Sequence, residues 1–176
     1  MTGKISVKES AAAPEMDDET YRFVQEMFQL ARTGDAARLK EFLEMGLAPN
    51  IRDGKGNSLL MLASYNGNHE AARTMIEHGG DPQFANDSGQ VPLAGAAFKG
   101  DTEMTRLLIE NGADVNSRMP DGKTPLMFAA MFNRLEIIEL LIVHGADISL
   151  QSNDGSTAQT LAQVMGVQAA ADRLTE

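Results

Sequence analysis

The sequence predicts an all-α solenoid in which helix-turn-helix units stack side by side and project turn or hairpin tips along one edge. Three observations predict it. Glycines recur in three interleaved series, Gly56, Gly89, Gly122 and Gly155, then Gly46, Gly79, Gly112 and Gly145, then Gly34, Gly67 and Gly100, each 33 residues from the last. One period held without insertion is the mark of a repeat architecture. Other positions keep the same register: Ala63, Ala96 and Ala129; Met75, Leu108 and Leu141; Ile76, Ile109 and Ile142; Asp81, Asp114 and Asp147. Finally, Leu135, Ile138, Leu141 and Ile142 fall on one helical stripe between Arg134 and His144.

The elements follow in order. Residues 1–17 lack periodicity and read as a mobile N-terminal tail. Residues 18–52 read as an N-terminal capping unit. Asp17, Asp18 and Glu19 favour a helix start there, and Phe23, Val24, Met27, Leu30 and Ala31 suit one buried face. Three full repeats are expected at 53–85, 86–118 and 119–151. Each runs turn, short helix, tight turn, longer helix and glycine loop. Thr124 can cap a first helix through its hydroxyl, and Pro125 suits the first helical position, where no N–H is needed. Gly112 and Gly145 end second helices, where a left-handed residue is wanted. Val91 replaces the capping Thr, and Asn133 stands where Gly34, Gly67 and Gly100 stand. Asn tolerates the left-handed conformation better than most residues. Residues 152–176 read as a C-terminal cap: Ser156 to Gln159 blurs the motif, and Gln159, Gln163 and Gln168 put amides where a last unit meets water.

The motifs carry a family resemblance. Thr124-Pro125-Leu126-Met127-Phe128-Ala129 resembles the ankyrin T-P-L-H-x-A motif, with Met127 where His is usual. Gly112-Ala113-Asp114-Val115-Asn116 is similar to the ankyrin closing segment, and the period agrees. The likeness covers roughly residues 20–176. Asn86 to Gly100 and Asn57 to Ala63 further resemble a variant found in short bacterial ankyrin proteins. The fold implied is an ankyrin-repeat solenoid.

Composition excludes several functions. A hydrophobic share of 43% suits a folded soluble chain, and no apolar run approaches a membrane span. The N-terminal stretch lacks the apolar core of a secretory signal, so the expected location is the cytoplasm. With no cysteine there is neither disulfide nor thiolate metal site. A net charge of −10 argues against nucleic acid and anionic membranes. His69, His78 and His144 are dispersed; His78 and His144 lie two units apart, roughly twice a helix diameter of ~10 Å, too far to share a metal. Gly54-Lys55-Gly56 is a turn tip. Glu70, Glu103 and Glu136 recur on second helices and read as a solvated face. No constellation for catalysis emerges, so the chain is expected to be no enzyme and to need no cofactor or metal.

What remains is binding. The resemblance implies that a partner lies along the concave side, formed by turn tips and first helices. By register the helix positions are Tyr65 and Asn66, Phe98 and Lys99, Met131 and Phe132. The tips supply Arg52, Lys55, Asn57, Ser88, Gln90, Arg118, Asp121 and Lys123. Tyr, Phe, Met and Phe at corresponding places form an apolar stripe in a chain that is only 5% aromatic, and aromatic anchors dominate interface energetics. Met61 and Met127, which replace the usual His, divide evenly between packing and binding. Groove and tips carry six cations (Arg32, Arg52, Lys55, Lys99, Arg118, Lys123) against four anions (Asp53, Asp87, Asp121, Asp154), which is +2 and leaves −12 elsewhere. The expected function is a protein-protein interaction module, acting as adaptor or as inhibitor of the immunity type. The alternative is a non-catalytic accessory subunit that presents a client to an enzyme. The expected partner is another protein, and the chain is expected to be a monomer.

Overall fold

The computed structural model describes residues 17–175. Apart from Asp17, the tail expected over residues 1–17 lies outside the described residues. Helices come in pairs: α1 (Asp18–Thr33) with α2 (Ala36–Glu44), α3 (Leu59–Tyr65) with α4 (His69–Glu77), α5 (Pro92–Lys99) with α6 (Thr102–Glu110), α7 (Pro125–Met131) with α8 (Leu135–Val143), and α9 (Ala158–Val164) with α10 (Gln168–Arg173). Odd-numbered helices pack on one another in one layer and even-numbered helices in a second. No strand is present among the described residues; one antiparallel bridge, Arg52 to Ser58, pinches the first tip.

Local chemistry sets these boundaries. Asp17 accepts the Thr20 N–H at 2.8 Å and starts α1. Ser58 and Thr124 cap α3 and α7 through the N–H groups of Met61 and Met127. Val91 offers no side-chain cap to α5, and Pro92 opens that helix instead. The blurred last motif hides a reciprocal cap: the Thr157 hydroxyl accepts from the Thr160 N–H, and the Thr160 hydroxyl from the Thr157 N–H. Asn133 adopts φ +54° at the place where Gly34, Gly67 and Gly100 are also left-handed.

One unit cannot bury its own apolar stripe; stacking does so. The continuous core includes Met27, Phe28, Leu39, Leu59, Leu60, Met75, Leu93, Met104, Leu108, Leu126, Ile138 and Leu141. Loops at the far end of the second helices are tied by a ladder. The Asn50 amide donates to the Gly79 carbonyl, Gln83 to Gly112, and Asn116 to Gly145, at 3.0–3.1 Å.

The structure corrects the expected stripes in detail. On α8 the buried residues are Ile137, Ile138, Leu140 and Leu141, while Leu135 is 38% exposed and Ile142 is similar. Each second helix packs against its own first helix and its neighbours, so the covered arc is wider and rotated from a single stripe. On α1, Phe28 is buried, whereas Phe23 is partly exposed and meets Phe42 edge-on at 5.1 Å. Met61 and Met127 are both buried, at 7% and 1% exposure, and pack in the stack. Glu103 and Glu136 are exposed, as expected of a solvated face, and also make surface contacts: Glu103 lies 3.5 Å from His69 Nδ1, and Glu136 accepts from the Thr102 hydroxyl.

Candidate functional site

First helices and tips together enclose a groove of about 630 Å³. Its floor comes from Met61, Leu62 and Tyr65 of α3, from the start of α5 through Gly95 to Phe98, and from Phe128 of α7. Its rim comes from three tips: Asn57 of the first; Asn86, Ser88 and Gln90 of the second; and Met119, Pro120 and Asp121 of the third. The floor is apolar and the rim carries amides and a hydroxyl.

Six residues expected from sequence line this groove: Tyr65, Phe98, Asn57, Ser88, Gln90 and Asp121. Tyr65 is 50% exposed and Phe98 38%. Both rings are held. Lys99 Nζ sits 4.3 Å from the Tyr65 ring centroid, a cation-π contact. Phe98 meets Phe132 edge-on with centroids 4.7 Å apart and planes at 77°. Phe132 and Lys99 thus flank the groove and orient the rings that line it.

The other expected residues stand elsewhere. Asn66 ends α3 and donates to the Leu62 carbonyl. Met131 is half-buried at the end of α7 and is no part of the lining. Arg52 and Arg118 tie one tip to the next. Arg52 donates to the Gly56 and Ala85 carbonyls, pairs with Asp87 at 2.9 Å, and lies over the Phe84 ring. Arg118 donates to the Gln151 carbonyl. Lys123 pairs with Asp121 at 2.6 Å within its own tip. Lys55 is exposed at the first tip.

Charges in the tips are mostly matched. Arg32 reaches Asp53 at 3.1 Å. Burial pushes the Asp53 carboxyl up, but the Asn57 amide, the N–H groups of Lys55 and Asn57, and Arg32 together hold it below its ordinary value. Asp121 is held low chiefly by the hydrogen bond from Lys123. Among the described residues, Lys55 and Lys99 have no carboxylate within 4.0 Å. The histidines are accounted for by the fold. His78 and His144 each place Nδ1 at 2.8 Å from the carbonyl four residues earlier. His69 places Nε2 at 2.8 Å from Asp101 of the next unit.

A family profile described as ankyrin repeats (3 copies) matches residues 27–119 and 96–176. The chain belongs to the ankyrin-repeat family. It is also 53% identical over 60 residues to a protein named as an ankyrin repeat protein from Pseudomonas aeruginosa. That match covers 34% of this chain and 35% of the relative, so the chain spans about a third of the relative's length. Ankyrin repeats generally serve as protein-protein interaction modules, and the family is generally non-catalytic. No described helix is long and apolar enough to cross a membrane.

Within this ankyrin stack, sequence reasoning missed the groove residues Leu62, Val91, Pro92, Ala94, Gly95 and Phe128, and it did not single out Asn86, Met119 and Pro120 within their tips. One available signal was register. Position 119 corresponds to Asp53, Asn86 and Ser152, all polar turn residues, and only there is the side chain a large apolar one.

Proposed function

We propose that this chain binds a segment of a partner protein in the concave groove, with the turn tips as rim, and that it acts as a monomeric adaptor or immunity-type inhibitor in the cytoplasm. The observation that carries this reading is the pair of half-exposed rings, Tyr65 and Phe98, held in place over an apolar groove floor. The continuous core runs behind these rings and does not include them. Aromatic side chains so placed are the usual anchors of protein interfaces. The acidic total of −10 supports a protein rather than a nucleic-acid partner. The same reading takes residues 18–52 and 152–176 as caps around full repeats at 53–85, 86–118 and 119–151. Paired helices in each segment support that division.

The test isolates the proteins that the purified chain retains from extracts of its own organism, then measures the affinity of the recovered partner for variants. Tyr65→Ala and Phe98→Ala should each weaken binding by about 2 kcal/mol, roughly thirtyfold. Glu77→Gln, on the exposed side of α4, should leave it unchanged. Unaltered affinity in both aromatic variants would move the site away from the groove. A recovered enzyme that loses activity in the complex marks an inhibitor; one whose activity needs the complex marks an accessory subunit.

A further inference from the structure

The tips are tied to each other by a repeated set of bonds, and the set is interrupted at one junction. Between the first tip (52–57) and the second (85–90), Arg52 reaches the Ala85 carbonyl and the Asp87 carboxylate, and the Asp87 N–H donates to the Lys55 carbonyl at 3.1 Å. Between the third tip (118–123) and the fourth (151–156), Arg118 reaches the Gln151 carbonyl, and the Asn153 N–H donates to the Asp121 carbonyl at 2.9 Å. Between the second and third tips the corresponding residues are Ala85 and Pro120. Alanine has no guanidinium, and proline has no N–H to give. No hydrogen bond joins these two tips among the described residues. The Pro120 ring instead sits where a Cβ on Gly89 would be, 2.5 Å from it.

The residues around this junction have turned apolar together. Val91 takes the place of a helix-capping hydroxyl, and Met119 that of a turn-making Asp, Asn or Ser. Asp53 and Asn86 accept backbone N–H groups two and four residues on. Met119 instead joins Val91 and Ala94 in a small apolar cluster separate from the main core, with Ala85 and Phe128 against it. This cluster forms the wall of the groove. Above it, Ser88 Oγ and the Gln90 amide nitrogen make no hydrogen bond among the described residues. Among the described residues, Lys55, in the tip that supplies Asn57, and Lys99, next to Phe98 and over the Tyr65 ring, have no carboxylate within 4.0 Å.

We propose that the junction between the second and third tips is a socket for one large apolar side chain of a partner segment whose neighbouring residues are acidic. The reading rests on the groove being the binding face. The apolar side chain packs on half-buried Phe128 and on the edges of Met119 and Val91, which are themselves only 6% and 8% exposed. Ser88 and Gln90 bond the segment's backbone, and its carboxylates face Lys55 and Lys99. Charge complementarity selects this occupant: Asp121, the charged residue of the lining, is matched by Lys123, while Lys55 and Lys99 in the adjoining tip and helix have no carboxylate within 4.0 Å among the described residues.

The experiment pans a random seven-residue peptide library displayed on phage against the full chain and measures the affinities of the enriched peptides. Expected is a consensus of one large apolar residue flanked by Asp or Glu. Met119→Asn, which installs the residue found at position 86, should weaken these peptides about tenfold or more at a temperature where circular dichroism shows the variant still folded. Ala85→Arg/Pro120→Asp, which copies the first junction, should do the same. Lys55→Glu/Lys99→Glu should reverse the flanking preference. No enriched consensus, a basic flank, or full affinity in both junction variants overturns the socket. If Tyr65→Ala and Phe98→Ala weaken the peptides while the junction variants do not, the groove stands and the socket falls. If none of them matters, both fall. A concentration-dependent dimer in sedimentation that Met119→Asn dissolves would make a second copy the occupant. A tenfold gain in affinity on deleting residues 1–16 would make it the chain's own terminus. Either result overturns the proposal.

Discussion

Phe98→Ala separates a ring that is presented from a ring that holds the core. Phe98 is 38% exposed, and its edge contact with Phe132 spans 4.7 Å. Truncating a fully buried aromatic costs about 3–5 kcal/mol. Scaled to the roughly three-fifths of Phe98 that is covered, the expected loss is about 2–3 kcal/mol. The ring pair accounts for about 0.5–1.5 kcal/mol of that. The stack therefore does two things at once: it fixes the ring over the groove and adds modestly to stability. Urea titration measures the loss, read from the midpoint at constant slope. A double-mutant cycle with Phe132→Ala isolates the coupling between the rings. A loss above about 4 kcal/mol would place Phe98 in the core and refute its presentation to a partner. A coupling near zero would mean that the edge contact does not form in solution.

Other perturbations test other parts of the architecture. Leu108→Ala and Leu141→Ala, at corresponding fully buried positions, should each cost about 2–5 kcal/mol in urea titrations; losses under about 1 kcal/mol would break the assigned register. Gly89→Ala should be costlier than Gly145→Ala. Both glycines have positive φ, worth about 1 kcal/mol of strain, but only Gly89 has a neighbour, Pro120, where the new methyl would go. Equal melting temperatures for the two variants would remove Pro120 from its seat. Asp53 and Asp121 are held below their ordinary value of 3.8, so their contribution is complete above that value and is lost as pH falls through it toward their folded-state values. Melting temperatures from pH 5 to about 2 should therefore fall less steeply in Asp53→Asn than in the parent; parallel curves would contradict the hydrogen bonds from Asn57 and the Lys55 N–H that hold the carboxylate.

The period, the paired helices and the left-handed Asn133 were legible because each follows from local chemistry repeated in register. Glycine spacing marks turns whatever surrounds them, and Thr124-Pro125 marks a helix start by capping and a missing N–H. The rotation of α8, with Leu135 outside and Ile137 inside, was not legible. Both are aliphatic, and only the neighbouring helices decide which is covered. The groove was read only in part. Tyr65 and Phe98 stood out as aromatics at positions the core does not need. Arg52 and Arg118 looked like partner contacts because a cation at a tip reads the same whether it faces solvent or the next tip. Only geometry shows the guanidinium bonded to a carbonyl 33 residues on. Met131 shared the register of Tyr65 and Phe98 but sits beyond the lining.

The apolar junction gains weight from how a stacked protein holds together. Each unit touches only its neighbours, so an interface is a sum of separable parts. Where the second and third tips meet, α5 still packs on α7, and Asn116 still bonds the Gly145 carbonyl. Only the tip bonds are gone. A lost hydrogen bond of this kind costs about 0.5–1.5 kcal/mol, and the missing cap at Val91 about 1 kcal/mol. The stack absorbs that because its helical layers are uninterrupted. Drift alone would scatter such losses over the three tip junctions. Ala85, Val91, Met119 and Pro120 lie up to 35 residues apart in the chain, yet they meet around one groove wall. An apolar side chain of a partner suits a surface on which independent positions converge in this way. The junctions on either side instead carry an arginine and a donated N–H at these places.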